Sequence, residues 1–381
     1  MIYLDAAATT PVRREVLEAM WPFLTGEFGN PSSHHSLGEQ AARALAGARA
    51  SVATNLGCRA SEVIFTSGGT EADNLAIKGM ALAMPLGRHV VTTPIEHEAV
   101  LASCDYLRRH HGFRVSEIAV DRYGRVDSEH LRAVMDAETT LCSVMLANNE
   151  VGTTQPMAEI VQVARAVNVP VHTDAVQAAG LLRLNVGELG VDAMSLSGHK
   201  VGAPKGTGVL YLRGRMQAEP VMHGGGQERG RRSGTENVAG AVGFALALEM
   251  ATRTQAERSD RLRGLRDELI RGVLAEVPEA RLTGHPVDRL PNSASFCFPG
   301  TSGESVLLQL EERGVLCSSG SACAAGSDGA SHVLVAMGID PAVAQTAVRF
   351  TLSDVTTEEQ VRTTIGAVRD ACGAIHAIAA R

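Results

Sequence analysis

The sequence has no long apolar run and no excess of positive charge. No stretch reaches the roughly 18 apolar residues of a membrane-spanning helix. The N-terminus, MIYLDAAATTPVRREV, lacks the basic-then-apolar pattern of a secretion signal. Lys and Arg number 35 against 42 Asp and Glu, a net charge of −7, which argues against nucleic-acid binding through a basic surface. We therefore expect a cytoplasmic protein without membrane contact.

Cysteine is scarce and irregularly spaced. The chain has seven cysteines and no CxxC pair, so neither a disulfide framework nor a zinc site is predicted. Cys317 and Cys323 lie in CSSGSACAAG (317–326), whereas a structural cysteine usually packs inside an apolar element. Cys323, in the middle of this Gly-, Ser- and Ala-rich stretch, is therefore the candidate for a chemical role.

Short apolar runs alternate with helical patterns from about residue 60 to residue 250. This β–α alternation predicts a mostly parallel sheet with helices on both faces. The predicted strands are Glu62–Thr66, His89–Thr93, Leu141–Leu146, Val169–Thr173, Ala193–Leu196 and Gly208–Leu212. The pattern changes near Thr254, where a charged amphipathic helix begins. We predict a large domain over residues 15–255 and a smaller α+β domain formed by residues 1–14 and 256–381.

Polar motifs follow three of these strands, where ligands of an open parallel sheet bind. In TSGGTEADN (66–74), Gly68 and Gly69 let the backbone approach an anion, and Thr70 can cap a helix whose N-terminus attracts phosphate. The motif is neither GxGxxG nor GxxxxGK[ST], so dinucleotides and ATP are poorly supported. Taken alone, it could equally be an ordinary Gly-rich turn.

The other two motifs carry an acid and a lysine. Asp174 ends the strand of VHTDAVQA (171–178), where it is either a helix N-cap or the partner of a buried positive group such as a protonated pyridine nitrogen. Lys200, in SLSGHKVGAPKGTG (195–208), is either a surface lysine or one able to form a Schiff base. A phosphate cradle, an acid and then a lysine, in this order, together favour pyridoxal 5'-phosphate (PLP).

Ten motifs in order along the chain, including FTSGGTEADNLAIKG (65–79), HTDAVQAAG (172–180), SGHKVGAPKGTG (197–208) and SSGSACAAG (318–326), resemble those of the cysteine desulfurases of the NifS/IscS branch. These enzymes belong to the fold-type I PLP enzymes, class-V aminotransferase-like. The resemblance implies a large domain with a mostly parallel seven-stranded sheet and a smaller C-terminal α+β domain. It also implies the conversion of L-cysteine to L-alanine.

The resemblance assigns cofactor roles to specific residues. Lys200 would hold PLP as a Schiff base and move protons at the substrate α-carbon. Asp174 would pair with the ring nitrogen, and His97 would stack on the ring as a candidate acid/base. Other matching positions would bind the phosphate or lie near the ring's 3-oxygen: Gly69, Thr70, Ser197 and His199 for the phosphate, and Asn149 and Gln177 near the ring. Thr235 would reach the phosphate from the other subunit, which implies a homodimer.

Two further residues would act on the substrate. Arg349, assisted by Asn149, would bind the substrate carboxylate, a task suited to a guanidinium fork. Cys323 would attack the substrate sulfur and keep it as a persulfide, and its Gly- and Ser-rich context would allow the thiol to move between site and acceptor. Cys317 has no matching role.

Two departures from the family pattern concern the surroundings of the site. Gly202 stands where better-known members have an aromatic residue, so we expect an altered surface with intact chemistry. The C-terminus, AIHAIAAR, lacks the longer tail of members that bind an iron–sulfur scaffold. The sulfur acceptor is therefore either an iron–sulfur scaffold protein or a tRNA-thiolation enzyme.

Two alternatives to a cysteine desulfurase stay open. One is a selenocysteine lyase or another fold-type I enzyme, although an aminotransferase has no use for Cys323. The other is a degenerate partner-binding protein, against which stands the presence of Lys200, Asp174, His97 and Cys323 together.

Overall fold

The computed structural model describes residues 1–83, 87–320 and 329–379, so Cys323 lies outside the described residues. Its main sheet has seven strands: β2 (Val63–Thr66), β3 (His89–Thr92), β4 (Arg114–Glu117), β5 (Thr139–Ser143), β6 (Val171–Asp174), β7 (Ala193–Ser197) and β8 (Gly208–Leu212). Across the sheet they lie in the order β2-β8-β7-β6-β5-β3-β4. All pairings are parallel except those of β8, which is antiparallel to both neighbours.

Helices cover both faces of this sheet, as the alternation of buried side chains along its strands requires. On one face, Val91 and Val209 pack with α1 (Arg14–Thr25), α2 (Ser36–Leu56), α7 (Met157–Ala166) and α9 (Val238–Arg253). On the other, Val90 and Leu210 pack with the helical run 69–83 and α5 (Glu98–His111). The run 69–83 consists of α3 (Gly69–Asn74), a π-helical turn (Leu75–Gly79) and α4 (Met80–Ala83).

The C-terminal part has its own antiparallel sheet, β12-β10-β9, formed by β9 (Arg281–Thr283), β10 (Ser293–Cys297) and β12 (Ala347–Thr351). Its core includes Phe296 and Phe350, which meet edge to face. Leu4 joins this core because β1 (Ile2–Tyr3) pairs in parallel with β11 (Val315–Leu316). The helices of this part are α10 (Gln255–Glu276), α11 (Gly303–Glu312), α12 (His332–Ala336), α13 (Pro341–Ala344) and α14 (Glu358–Ala379).

The predicted fold class is confirmed, with local shifts in strand bounds. Gly208–Leu212 is a strand at the predicted positions, whereas the strand predicted at Leu141–Leu146 spans Thr139–Ser143. Glu62 belongs to a short 3₁₀ turn because its carboxylate accepts hydrogen bonds from the backbone N–H groups of Arg59 and Gly214. The remaining helices are the short α6 (Ser128–Val134) and α8 (Val186–Leu189). Among the described residues, no helix combines the length and apolar character needed to cross a membrane.

Candidate active site

A cavity of about 520 Å³ opens beyond the carboxyl ends of β2, β6 and β7. Ten of the predicted site residues line it: Gly69, Thr70, His97, Asn149, Asp174, Gln177, Ser197, His199, Lys200 and Arg349. Thr235 is not among its lining residues; it lines a neighbouring cavity that shares Ser67 and Gly206 with the first. The structure thus brings together residues from both ends of the chain.

The loop between β2 and α3 presents backbone to this cavity. A Cβ on Gly208 would lie 2.6 Å from the Cα of Gly68, so the strand can pass this close only without a side chain. Glu71 holds the loop from its far end, accepting from Arg232 Nε (2.8 Å) and the Ser67 N–H (2.9 Å). Burial acts to raise the pKa of Glu71, but these hydrogen bonds lower it overall, so the carboxylate stays ionised.

Lys200 follows β7 in a single 3₁₀ turn, Gly198–Lys200, and points at the N-terminal segment. Its ammonium donates to the carbonyls of Ala8 (2.8 Å) and Ala7. The Ala7 carbonyl also accepts from Gln177 Nε2 at 3.1 Å. The N-terminal segment is therefore part of the cavity wall and holds the lysine beside Gln177.

Asp174 is the last residue of β6 and is 7% exposed. Burial raises its pKa, while the charges of His97 and Lys200 and a hydrogen bond from the Val176 N–H (2.8 Å) act in the opposite direction. A positive group placed in the cavity would favour the ionised form further, since an opposite charge stabilises a buried carboxylate. This is the environment that a protonated ring nitrogen requires.

Two histidines border the same space. His97 is the N-cap of α5, where its Nδ1 accepts from the Ala99 N–H at 3.1 Å. For His199, burial and the charges of Lys200 and Lys205 lower the pKa to about 4, so its ring is neutral at pH 7. His199 can then offer a phosphate a hydrogen bond but no charge.

Arg349 reaches the cavity from β12 of the C-terminal sheet and is 3% exposed. Its Nη1 donates to the Asn149 carbonyl (2.8 Å) and its Nη2 to Asp5 Oδ1 (2.9 Å). Its Nε is buried and has no hydrogen-bond partner. A buried donor without a partner is costly. The arginine lines the cavity, so its guanidinium can serve a ligand carboxylate there.

The chemical groups in this cavity match those that PLP requires. Lys200 supplies an amine for the aldehyde, and Asp174 supplies the buried carboxylate for the ring nitrogen. The 67–70 loop, Ser197 and His199 supply uncharged donors for the phosphate. The described residues hold no cluster of metal-ligating side chains.

Some residues of the site had no sequence prediction. The contacts of Lys200 with the carbonyls of Ala7 and Ala8 could not be predicted, because any residue type can supply a backbone acceptor. Asp73 also lines the cavity, and it lay unassigned inside the TSGGTEADN motif. Its position, three residues after Thr70 in a helical run, was the signal that could have placed it on the same face. Arg13 packs on Gly202, where a Cβ would lie 2.8 Å from its Cγ.

Comparisons with known proteins cover nearly the whole chain. The family model described as aminotransferase class-V matches residues 2–363. A cysteine desulfurase IscS of Dictyoglomus turgidum is 45% identical over 96% of this chain and 92% of its own length. A cysteine desulfurase NifS of Azotobacter vinelandii is 46% identical over 94% of this chain and 90% of its own.

Two solved structures extend the similarity to the fold. One described as a NifS-like protein superposes with a TM-score of 0.90 at 39% identity, covering 97% of this chain and 98% of its own. Another, described as SspA in complex with cysteine, has a TM-score of 0.82 at 36% identity and covers 92% and 99%.

Proposed function

The chain belongs to the aminotransferase class-V family, in its cysteine desulfurase branch, and from this premise we propose how its residues remove sulfur from L-cysteine. It is a PLP-dependent cysteine desulfurase, and its products are L-alanine and a persulfide. The observation that carries the assignment of residues is the single cavity shared by Lys200, Asp174 and Arg349, which come from three separate elements.

PLP, when bound, supplies an electron sink for the bonds at the substrate α-carbon. Lys200 holds the cofactor and then moves the proton at that carbon. Asp174 carries the negative charge that keeps the ring nitrogen protonated, and His97 covers the ring. Arg349 lines the cavity and binds the substrate carboxylate through its guanidinium, which orients the side-chain sulfur.

Cys323 is the proposed nucleophile. Its thiolate attacks the sulfur of the bound substrate, so an S–S bond forms while the C–S bond breaks and its electron pair stays with the carbon. That carbon then takes up a proton and leaves as L-alanine. The substrate sulfur is oxidised to the persulfide level and the carbon is reduced, so no external oxidant is needed.

The test is release of alanine and sulfide from L-cysteine in the presence of a reductant. We compare the wild type with Cys323→Ala and with Cys317→Ala as the matched control. Cys323→Ala should retain PLP but release neither product, and Cys317→Ala should behave as the wild type. Equal turnover by Cys323→Ala would remove Cys323 from the mechanism.

We further propose a homodimer in which Thr235 serves the partner's phosphate site. Thr235 does not line the main cavity of its own chain, and α1 exposes Leu17, Trp21 and Leu24 along one side, with Trp21 66% exposed. Mixing Lys200→Ala with Thr235→Val subunits should then restore one intact site per mixed dimer. PLP binding that stays at the level of the separate variants after mixing would contradict this arrangement.

The domain division, the location and the acceptor are also proposals. The pairing of β1 with β11 and the place of Leu4 in the C-terminal core support grouping residues 1–14 with residues 256–381. The six described cysteines are free thiols, which suits the reducing cytoplasm. The persulfide would pass to an iron–sulfur scaffold protein or a tRNA-thiolation enzyme, and transfer of ³⁵S from loaded protein to each candidate acceptor tests this.

A further inference from the structure

A second carboxyl group stands beside Asp174 at the cavity. Asp73, on α3, is 1% exposed and lines the cavity. Its Oδ1 is buried and has no hydrogen-bond partner. An ionised carboxylate in this position would lose its hydration and leave Oδ1 without a hydrogen bond, which is a costly arrangement in a folded protein.

Among the residues that the structure describes, one basic side chain lies within 4 Å of the Asp73 carboxyl group. This is His172, whose Nε2 lies 3.7 Å from Asp73 Oδ1. The imidazole of His172 is fully buried between two hydroxyl groups, Ser143 Oγ and Ser195 Oγ, each at 2.9 Å from a ring nitrogen. Burial lowers the pKa of His172 to about 3, so this ring is neutral and does not form an ion pair with Asp73.

The charge of Asp174 opposes a negative charge on Asp73, and Glu96 adds repulsion only when it is ionised. The Ser195 hydroxyl acts in the other direction and stabilises the charged form. Burial, the largest cause, together with this repulsion raises the pKa of Asp73 well above its ordinary value. Glu96 is itself fully buried.

The surroundings of Asp174, in contrast, stabilise a negative charge. His97 and Lys200 attract its negative charge, and the Val176 N–H donates to Oδ1 at 2.8 Å. When two interacting carboxyl groups share one buried space, they do not both ionise, and the charge settles where the surroundings stabilise it. Between these two carboxyls, that place is Asp174.

We propose that Asp73 is a neutral carboxylic acid in the folded protein. By keeping the proton of the Asp73–Asp174 pair, it leaves the single negative charge on Asp174, where the ring nitrogen binds. This inference rests on the proposed role of Asp174. It adds that the two buried carboxyl groups differ in protonation, and that a negative charge on Asp73 in place of Asp174 would weaken PLP binding.

Substitution of each residue by asparagine tests the contributions of the two carboxyl groups separately, because a carboxamide has the shape of the neutral acid and carries no charge. Apoprotein is titrated with PLP and the dissociation constant is measured by the cofactor's absorbance, without turnover. Asp73→Asn should bind PLP within about threefold of the wild type, and Asp174→Asn should bind it roughly tenfold or more weakly, the equivalent of one pKa unit. Glu96→Gln, a buried carboxyl that does not line the cavity, is the matched control and should leave PLP affinity unchanged.

Infrared spectroscopy of the wild type tests the protonation directly and needs no variant to fold. Protein labelled with ¹³C only at aspartate carboxyl groups should show an isotope-shifted protonated-acid band at pH 7. The labelling excludes the buried Glu96, and the band should vanish in Asp73→Asn and persist in Asp174→Asn.

The outcomes are distinct. Loss of PLP affinity in Asp73→Asn with retention in Asp174→Asn, or a wild type without a protonated aspartate band, would overturn the inference. Equal affinity of Asp174→Asn and wild type, with the band still assigned to Asp73, would instead remove the proposed role of Asp174.

Discussion

Asp5 and Arg349 form an ion pair at the wall of the cavity, with 2.9 Å between Asp5 Oδ1 and Arg349 Nη2. The two residues are 344 positions apart in the chain and meet because the N-terminal segment bridges to β12 at Thr351. Asp5 thus fixes one end of the guanidinium at the wall of the cavity.

This pairing predicts separate effects of the two residues on substrate binding. Arg349→Lys keeps the charge but loses the fork, so KM for L-cysteine should rise by roughly tenfold or more, corresponding to the 1.5–3 kcal/mol of a hydrogen bond to a charged group. Asp5→Asn keeps an acceptor for Nη2 and removes a negative charge beside the substrate carboxylate, so KM should stay equal or fall. Steady-state kinetics measure both, and a large rise of KM in Asp5→Asn would contradict the geometry.

His97 has two separable tasks, because its ring caps α5 while it borders the cavity. His97→Asn should keep the cap, since asparagine is a favoured N-cap residue, whereas His97→Ala should lose about 1 kcal/mol of unfolding free energy. Both variants should lose most of the desulfurase activity. Urea denaturation and alanine release measure the two effects separately. If activity followed stability across the two variants, His97 would have a structural role only.

Glu96 predicts a pH-dependent stability. Burial raises the pKa of Glu96 to about 8 from its ordinary value of 4.5. Between these values the folded state binds a proton that the unfolded state has released, so this group lowers the stability as pH rises through that window. Glu96→Gln is always neutral and keeps the acceptor for Thr93 Oγ1 and the Met145 N–H.

The variant should therefore be more stable than the wild type at pH 7, by up to about 3 kcal/mol at 1.36 kcal/mol per pKa unit. At pH 5 the difference should shrink below about 1 kcal/mol. Urea denaturation of the apoprotein from pH 5 to 8 measures this difference. Glu117→Gln, at an exposed carboxylate, is the control and should show no such trend. A constant difference across the range would mean that Glu96 is ionised in the folded protein.

Patterns within a short stretch of sequence predicted those helices and strands whose residue pattern alone distinguishes them. Gly208–Leu212 is a strand at the predicted bounds, because an apolar run is a local property of the sequence. α9, VAGAVGFALALEMATR, had no such signal; it is apolar nearly all round because it packs against α1 and α2 as well as the sheet. Its burial is decided by residues far away in the chain.

The site shows the same division. Asp174 and Lys200 were found because an acid and a lysine at strand ends are unusual residue types for their positions. The contacts of Lys200 with Ala7 and Ala8, and the isolation of Asp73, depend on how distant segments meet. The ion pair of Arg13 with Asp354 beside Gly202, at 2.8 Å, is also long-range. Such contacts are set by tertiary packing, which residue types alone do not encode.

The six described cysteines predict where a thiol reagent will react. Burial raises the pKa of every one of them: to about 12 for Cys58, Cys104 and Cys317, to about 11 for Cys297 and Cys372, and still higher for Cys142. The thiolate is the reactive form, so all six should be slow to alkylate at pH 7.5. Rapid reaction with iodoacetamide should then fall on the seventh cysteine, Cys323.

Limited alkylation followed by peptide mass spectrometry measures this preference. One equivalent of label on Cys323 should abolish desulfuration while PLP absorbance is kept. Cys323→Ser should take up no rapid label, whereas Cys317→Ser should be labelled and inactivated at the wild-type rate. Rapid labelling of Cys317 or Cys58 in the native protein would show that burial does not suppress their thiolates, and the case for Cys323 as the reactive thiol would lose its support from the rest of the chain.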